Sequence, residues 1–163
     1  MLDINTLLVF ATASAVLAFA PGPDNIFVLT QSMLSGRSAG FRVTLGLCTG
    51  LLVHTSLVAF GVAAIFQASL TAFNVLKYTG AAYLLYLSWK SFRSTSGPRV
   101  IKGETLSAWQ LYRRGIIMNV TNPKVSIFFM AFLPQFASPA RGSITVQMIM
   151  LGLVFICVTI IVF

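Results

Sequence analysis

The feature that most constrains this chain is a patch of helix-breaking and charged residues, Pro21-Gly22-Pro23-Asp24-Asn25, set inside an otherwise apolar stretch from Leu7 to Leu34. Proline removes a backbone donor and clashes with the preceding turn, and a carboxylate in apolar surroundings is costly unless it is paired. A soluble core gives such a patch no purpose. In a bilayer, broken backbone is tolerated only where protein or a water-filled cavity satisfies the freed polar groups. A second patch, Thr121-Asn122-Pro123-Lys124, interrupts a later apolar run. Two interrupted spans at corresponding positions of two halves point to the binding site of a secondary transporter.

Composition agrees with a bilayer. The chain is 57% hydrophobic and 9% charged, against roughly 25% charged residues in soluble domains. Its net charge of +8 does not indicate nucleic acid, because the basic residues stand in short clusters between apolar runs and form no stripe with base-stacking aromatics. Cys48 and Cys157 fall within apolar runs, without metal-ligand spacing, and read as packing residues. One histidine and three acidic residues supply no metal site, and nothing in the pattern calls for a cofactor. No nucleophile and base share one membrane level, so an enzyme is not expected. Ala18-Phe19-Ala20 looks like a signal-peptidase site, but no basic segment precedes it, and the first span is expected to be retained.

Five apolar runs follow in order: about Thr6 to Met33 with its central break, Val43 to Phe66, Leu70 to Trp89, Gly115 to Phe136 with the second break, and Ile144 to Phe163. The expected fold is an all-α integral membrane bundle arranged as an inverted repeat, with three spans in the first half and an incomplete second set. One domain, 1–163, divides into a first repeat at about 5–92, a linker at about 93–112 and a second repeat at about 113–163. Loops one and three carry Arg37, Arg42, Lys90, Arg93, Arg99, Lys102, Arg113 and Arg114, whereas loops two and four carry only Arg141. The positive-inside rule then puts loops one and three in the cytoplasm and the N-terminus outside. Gly46 and Gly50 offer a small-xxx-small face for close helix contact.

Several motifs in sequence order resemble the LysE/RhtB amino-acid exporters of bacterial inner membranes. They are Ala20-Pro21-Gly22-Pro23-Asp24-Asn25, Gly46 to His54, Val75 to Leu84, Asn119 with Thr121-Asn122-Pro123-Lys124, and Leu133-Pro134-Gln135-Phe136. The stretches from Gly46 to His54 and after Phe73 look most like the homoserine/threonine branch. The resemblance covers essentially the whole chain. It implies a multi-pass protein of the inner (plasma) membrane that exports small amino acids by secondary active transport, with protons as the coupling ion. Family members have a sixth span, and several carry an acidic residue where Thr159 stands here. The alternative expectation is therefore a truncated, non-transporting fragment, short-lived or inactive unless a homodimer partner covers its open face.

Setting Pro23 on Pro123 brings Asp24 opposite Lys124, one charge of each sign near the midplane. A zwitterionic amino acid needs both: Lys124 for its carboxylate and Asp24 for its ammonium. The alternative is that the two charges pair with each other and hold the bundle shut. Asn25, Asn119 and Asn122 suit either substrate contacts or repair of backbone groups freed by the prolines. Gly22 serves either close backbone approach or a positive φ. His54 is either a proton-coupling group or a histidine satisfied by Thr55, Ser56 or a carbonyl across a helix contact. The expected site is thus Asp24, Asn25, His54, Asn119, Asn122 and Lys124, with Pro21, Gly22, Pro23 and Pro123 as helix breaks.

Overall fold

The computed structural model describes residues 2–62, 64, 68–93 and 106–163, with the backbone alone at residues 62, 88, 91 and 92. The expected end of the second run at Phe66, Gln67 in the turn after it, and linker residues 94–105, with Arg99 and Lys102, lie outside the described residues. The helices are α1 (Ile4–Phe19), α2 (Pro23–Ser35), α3 (Arg37–Leu57), α4 (Leu70–Arg93), α5 (Ala108–Val120), α6 (Pro123–Ile127) and α7 (Ile144–Val162). Helix α3 continues into a π-helical turn, Val58–Val62, and α6 into another, Phe128–Phe132, followed by 3-10 turns at Leu133–Phe136 and Pro139–Arg141. No strand occurs among the described residues.

The apolar runs become helices because a helix satisfies every backbone group within its own segment in lipid. Arg37–Gly61 forms 25 residues of helix and Ile144–Val162 forms 19, the shorter of these still covering about 28 Å at 1.5 Å per residue. Helix α4, with 24 residues, extends about 36 Å. Each proline patch makes a sharp bend within one apolar unit: 62° between α1 and α2, and 49° between α5 and Pro123–Phe136. The protein is an all-α membrane bundle with two broken helices.

Caps set the boundaries. Asp3 Oδ1 accepts from the Thr6 N–H at 2.7 Å and opens α1. Ser107 and Gln110 form a reciprocal capping box, so α5 starts seven residues ahead of the apolar run that begins at Gly115. That first stretch is amphipathic, with Leu111 buried and Arg113 and Arg114 exposed, and apolarity alone does not mark it. Pro23 and Pro123 each stand at the first position of the helix that follows, where the missing N–H costs nothing.

The centre of the bundle is a parallel seam between α3 and α5. Gly46 lies against the Tyr112 backbone and the Gly115 Cα, Gly115 against the Val43 carbonyl, and Gly50 against the Asn119 side chain. Glycines here let two backbones approach in the way lipid-embedded helices favour. On the far side of α3, Thr55 seats against Gly152 of α7, and Ser32 of α2 seats against Gly40. Arg141 bridges to Asp3 at 3.2 Å, which fixes the start of α1 beside the start of α7. Arg37, Arg42, Arg113 and Arg114 are therefore at one end of the bundle, and the Asp3–Arg141 pair is at the other.

Candidate functional site

Both breaks meet beside the α3–α5 seam. The chain leaves α1 at Ala20 and re-enters helix at Pro23, which puts Asp24 in the first turn of α2, where the helix dipole favours a negative charge. Asp24 is 5% exposed. Its Oδ2 accepts from Asn119 Nδ2 at 3.2 Å, while its Oδ1 is buried without a hydrogen-bond partner. The Asn122 side chain also stands near enough to act on this carboxylate as a hydrogen-bonding group, although no bond to Oδ1 falls within 3.5 Å, and Lys124 and His54 lie within electrostatic reach.

Backbone groups freed at the first break are taken up by side chains. Asn25 Nδ2 donates to the Ala18 carbonyl at 2.5 Å, and Lys124 Nζ, reaching over from the second break, donates to the Ala20 carbonyl at 2.7 Å. No ion pair within 4 Å joins Asp24 to Lys124 among the described residues. The ammonium leans on the peptide carbonyl next to the carboxylate instead. Gly22 has an extended backbone, with φ of −164°, so of its two expected uses the positive φ is absent. A Cβ at this position would stand 3.3 Å from Lys124 Nζ, and close approach of the lysine is what the glycine permits.

At the second break, Asn122 caps α6 by accepting from the Lys124 N–H at 3.0 Å, and its own carbonyl accepts from Ser126 Oγ. Asn119 ends the glycine seam. Its carbonyl meets His54 Nε2 at 3.1 Å, so the histidine bonds across the helix contact to a backbone group. The His54 ring also lies 5.6 Å from that of Phe129. The structure thus gathers all six expected site residues around the two breaks. Asn25 and Asn122 are engaged with backbone, and Asn119 and Lys124 connect the two broken helices.

A cavity of about 20 Å³ sits among these groups, lined by Asp24, Asn119, Lys124, Phe155 and Thr159. It holds about one water, far less than the roughly 300 Å³ at which ligand pockets begin, so the space beside the carboxylate is too small for an amino acid in this structure. Thr159 is 4% exposed and donates to the Phe155 carbonyl at 2.9 Å, which leaves its oxygen free to accept. Toward the Arg141 end, the way is filled by Phe10, Phe128, Phe129, Phe132, Phe136 and Phe155, with ring centroids 4.8 to 6.3 Å apart. Reading by sequence did not single out this plug, because Phe in an apolar run carries no signal of its own. It also passed over Gln31, which the helical spacing from Asp24 could have revealed.

Comparison with known proteins matches residues 15–163 to the family described as LysE type translocator. The chain is 35% identical over 154 residues to a homoserine/homoserine lactone efflux protein of Salmonella typhi, covering 94% of this chain and 74% of that one. The protein of the same name in Salmonella typhimurium is 34% identical over 154 residues, with the same coverage. An uncharacterized membrane protein of Vibrio cholerae is 31% identical over 141 residues, 86% of this chain and 69% of its own length. No solved structure matches.

Proposed function

Since the chain belongs to the LysE type translocator family, we propose that it exports small, homoserine-like amino acids across the bacterial inner membrane, with Asp24 taking the substrate ammonium and Lys124 its carboxylate. The observation that carries this reading is the Asp24 Oδ1, a buried carboxylate oxygen with no partner, in a residue that lines one small cavity together with a lysine whose ammonium bonds only a carbonyl. A buried acceptor left open costs about 1–3 kcal/mol, more when charged, and an ammonium donor would relieve that cost. Lys124 can trade its bond to the Ala20 carbonyl for one to a carboxylate, in which both partners are charged. Because the cavity takes only about one water, binding requires the two broken helices to part. The relatives named for homoserine and its lactone support the substrate class.

Protons are the proposed coupling ion. His54 touches Asn119, and Asn119 touches Asp24, so a change of charge at the imidazole acts directly on the polar cluster that holds substrate. The repeat boundaries at about 5–92 and 113–163, with Asp24 and Lys124 as counterparts, belong to the same reading, as does a homodimer in the bilayer.

The test is efflux of a labelled amino-acid panel, homoserine included, from cells expressing the chain. Asp24→Asn and Lys124→Ala are each expected to abolish export while membrane abundance stays within twofold of the unaltered protein. Normal export by Lys124→Ala would rule out the carboxylate anchor. Export unaffected by Asp24→Asn would do the same for the ammonium site.

A further inference from the structure

Three buried side-chain oxygens lack hydrogen-bond partners among the described residues: Asp24 Oδ1, Asn119 Oδ1 and Gln31 Oε1. The Asn119 oxygen lies against the bare Cα side of Gly50 and belongs to the seam. Gln31 belongs to nothing described so far. It is 3% exposed, and it shares the buried face of α2 with Asp24, Phe27 and Val28, at the i, i+3, i+4 and i+7 spacing of one helical stripe.

The surroundings of that stripe are apolar. Phe27 and Val28 pack with Ala39, Val43, Leu47 and Leu111, where a leucine in place of Gln31 would serve packing better. Gln31 caps no helix end, since α2 runs on to Ser35. Seven residues separate it from Asp24, about 10.5 Å along the helix, in the direction of the end that carries exposed Arg37, Arg42, Arg113 and Arg114. Fixed cations at that end draw carboxylate-bearing solutes to it.

We infer that Gln31 is a second substrate station, on the arginine-bearing side of Asp24, whose amide oxygen takes the ammonium of an α-amino acid before it passes to Asp24. Two unpartnered acceptors, two helical turns apart on one face of one helix, form a relay for a donor that moves along that face. The amide is uncharged, so it holds the ammonium more loosely than the carboxylate beyond it and releases it inward. This station rests on the reading of the chain as an amino-acid exporter and adds to it a first contact for substrate on its way to Asp24.

The test uses the full chain in inside-out membrane vesicles, so that labelled homoserine meets the arginine-bearing end and its uptake reports export. Gln31→Leu and Gln31→Met keep the size of the side chain and remove its acceptor. Both are expected to insert normally, to melt at or above the temperature of the unaltered protein, and to raise KM about tenfold with the maximal rate within twofold. An unchanged KM in both variants, with export by the unaltered chain intact, overturns the station and leaves the exporter reading standing. A fall in maximal rate at constant KM, or failure of both variants to insert, overturns it as well, because either result assigns the amide to structure. If the unaltered chain moves no amino acid in the panel, the exporter reading falls, and the station with it.

Discussion

Gly50→Ala tests whether the helix seam positions the site. A Cβ at Gly50 would stand 2.7 Å from both Cβ and Oδ1 of Asn119 and 3.0 Å from its Cγ. Ordinary contact begins near 3.4 Å, so the Asn119 side chain must withdraw by about 0.7 Å, a displacement that a close-packed interior does not absorb freely. Asn119 Nδ2 is 3.2 Å from Asp24 Oδ2. Directed along that bond, the same displacement opens it to about 3.9 Å, past the range of a hydrogen bond. A hydrogen bond to a charged group contributes about 1.5–3 kcal/mol, which at 1.4 kcal/mol per tenfold is about 10- to 140-fold. Homoserine efflux in Gly50→Ala is therefore expected to fall by one to two orders of magnitude while membrane abundance holds. Gly61→Ala is the control, because a Cβ there meets nothing within 4 Å, and it should export normally. Efflux by Gly50→Ala within twofold of the unaltered chain, alongside a dead Asp24→Asn, would show that Asp24 does not depend on Asn119 and refute the reasoning.

Gly115→Ala places a methyl against the Val43 carbonyl, and the overpacked seam should lose about 1–3 kcal/mol, read as a lower melting temperature in detergent beside Gly61→Ala. Single cysteines at Ser38 and Ala140, exposed at opposite ends of the bundle, should label oppositely with an impermeant thiol reagent on intact cells. Ala140→Cys should react from outside and Ser38→Cys only after permeabilisation, and the reverse pattern would invert the proposed orientation. Asp3 accepts from the Thr6 N–H, and this bond, with the nearby Arg141, holds its carboxyl below the usual carboxylate range. A depressed carboxyl stabilises the folded cap above its unfolded titration and loses that stabilisation as pH falls through the lowered value. The Thr6 and Leu7 amides should accordingly be better protected from hydrogen exchange in the unaltered chain than in Asp3→Asn at neutral pH, with the difference vanishing as Asp3 is protonated in acid. A difference that persists in acid would show that the cap does not depend on the charge.

The sequence by itself determined that this chain is a helical membrane protein with two broken spans, because lipid admits no other solution for long apolar runs and because proline and glycine act on the backbone wherever the chain runs. It also supplied the candidate site as residue types: a lone carboxylate and a lysine, each beside a proline in an apolar run, are conspicuous before any contact is known. Local chemistry of that kind is written along the chain. Partners are not. That Lys124 spans to the Ala20 carbonyl, that Asn119 rather than Asn25 holds Asp24, and that His54 meets a backbone carbonyl of α5 all depend on how α3 and the two broken helices pack together, across sequence separations of 65 to 104 residues. The start of α5 at Ala108 likewise escaped the apolar count, since a capping box and an amphipathic turn carry it. Helical spacing could set Gln31 on the face of Asp24, but its missing partner, like the phenylalanine plug, is not written in the sequence. Only the tertiary structure, by burying one oxygen without a partner and stacking rings from α1, α7 and the second broken helix, distinguished them, because burial and pairing are properties of the packed bundle and not of any single segment.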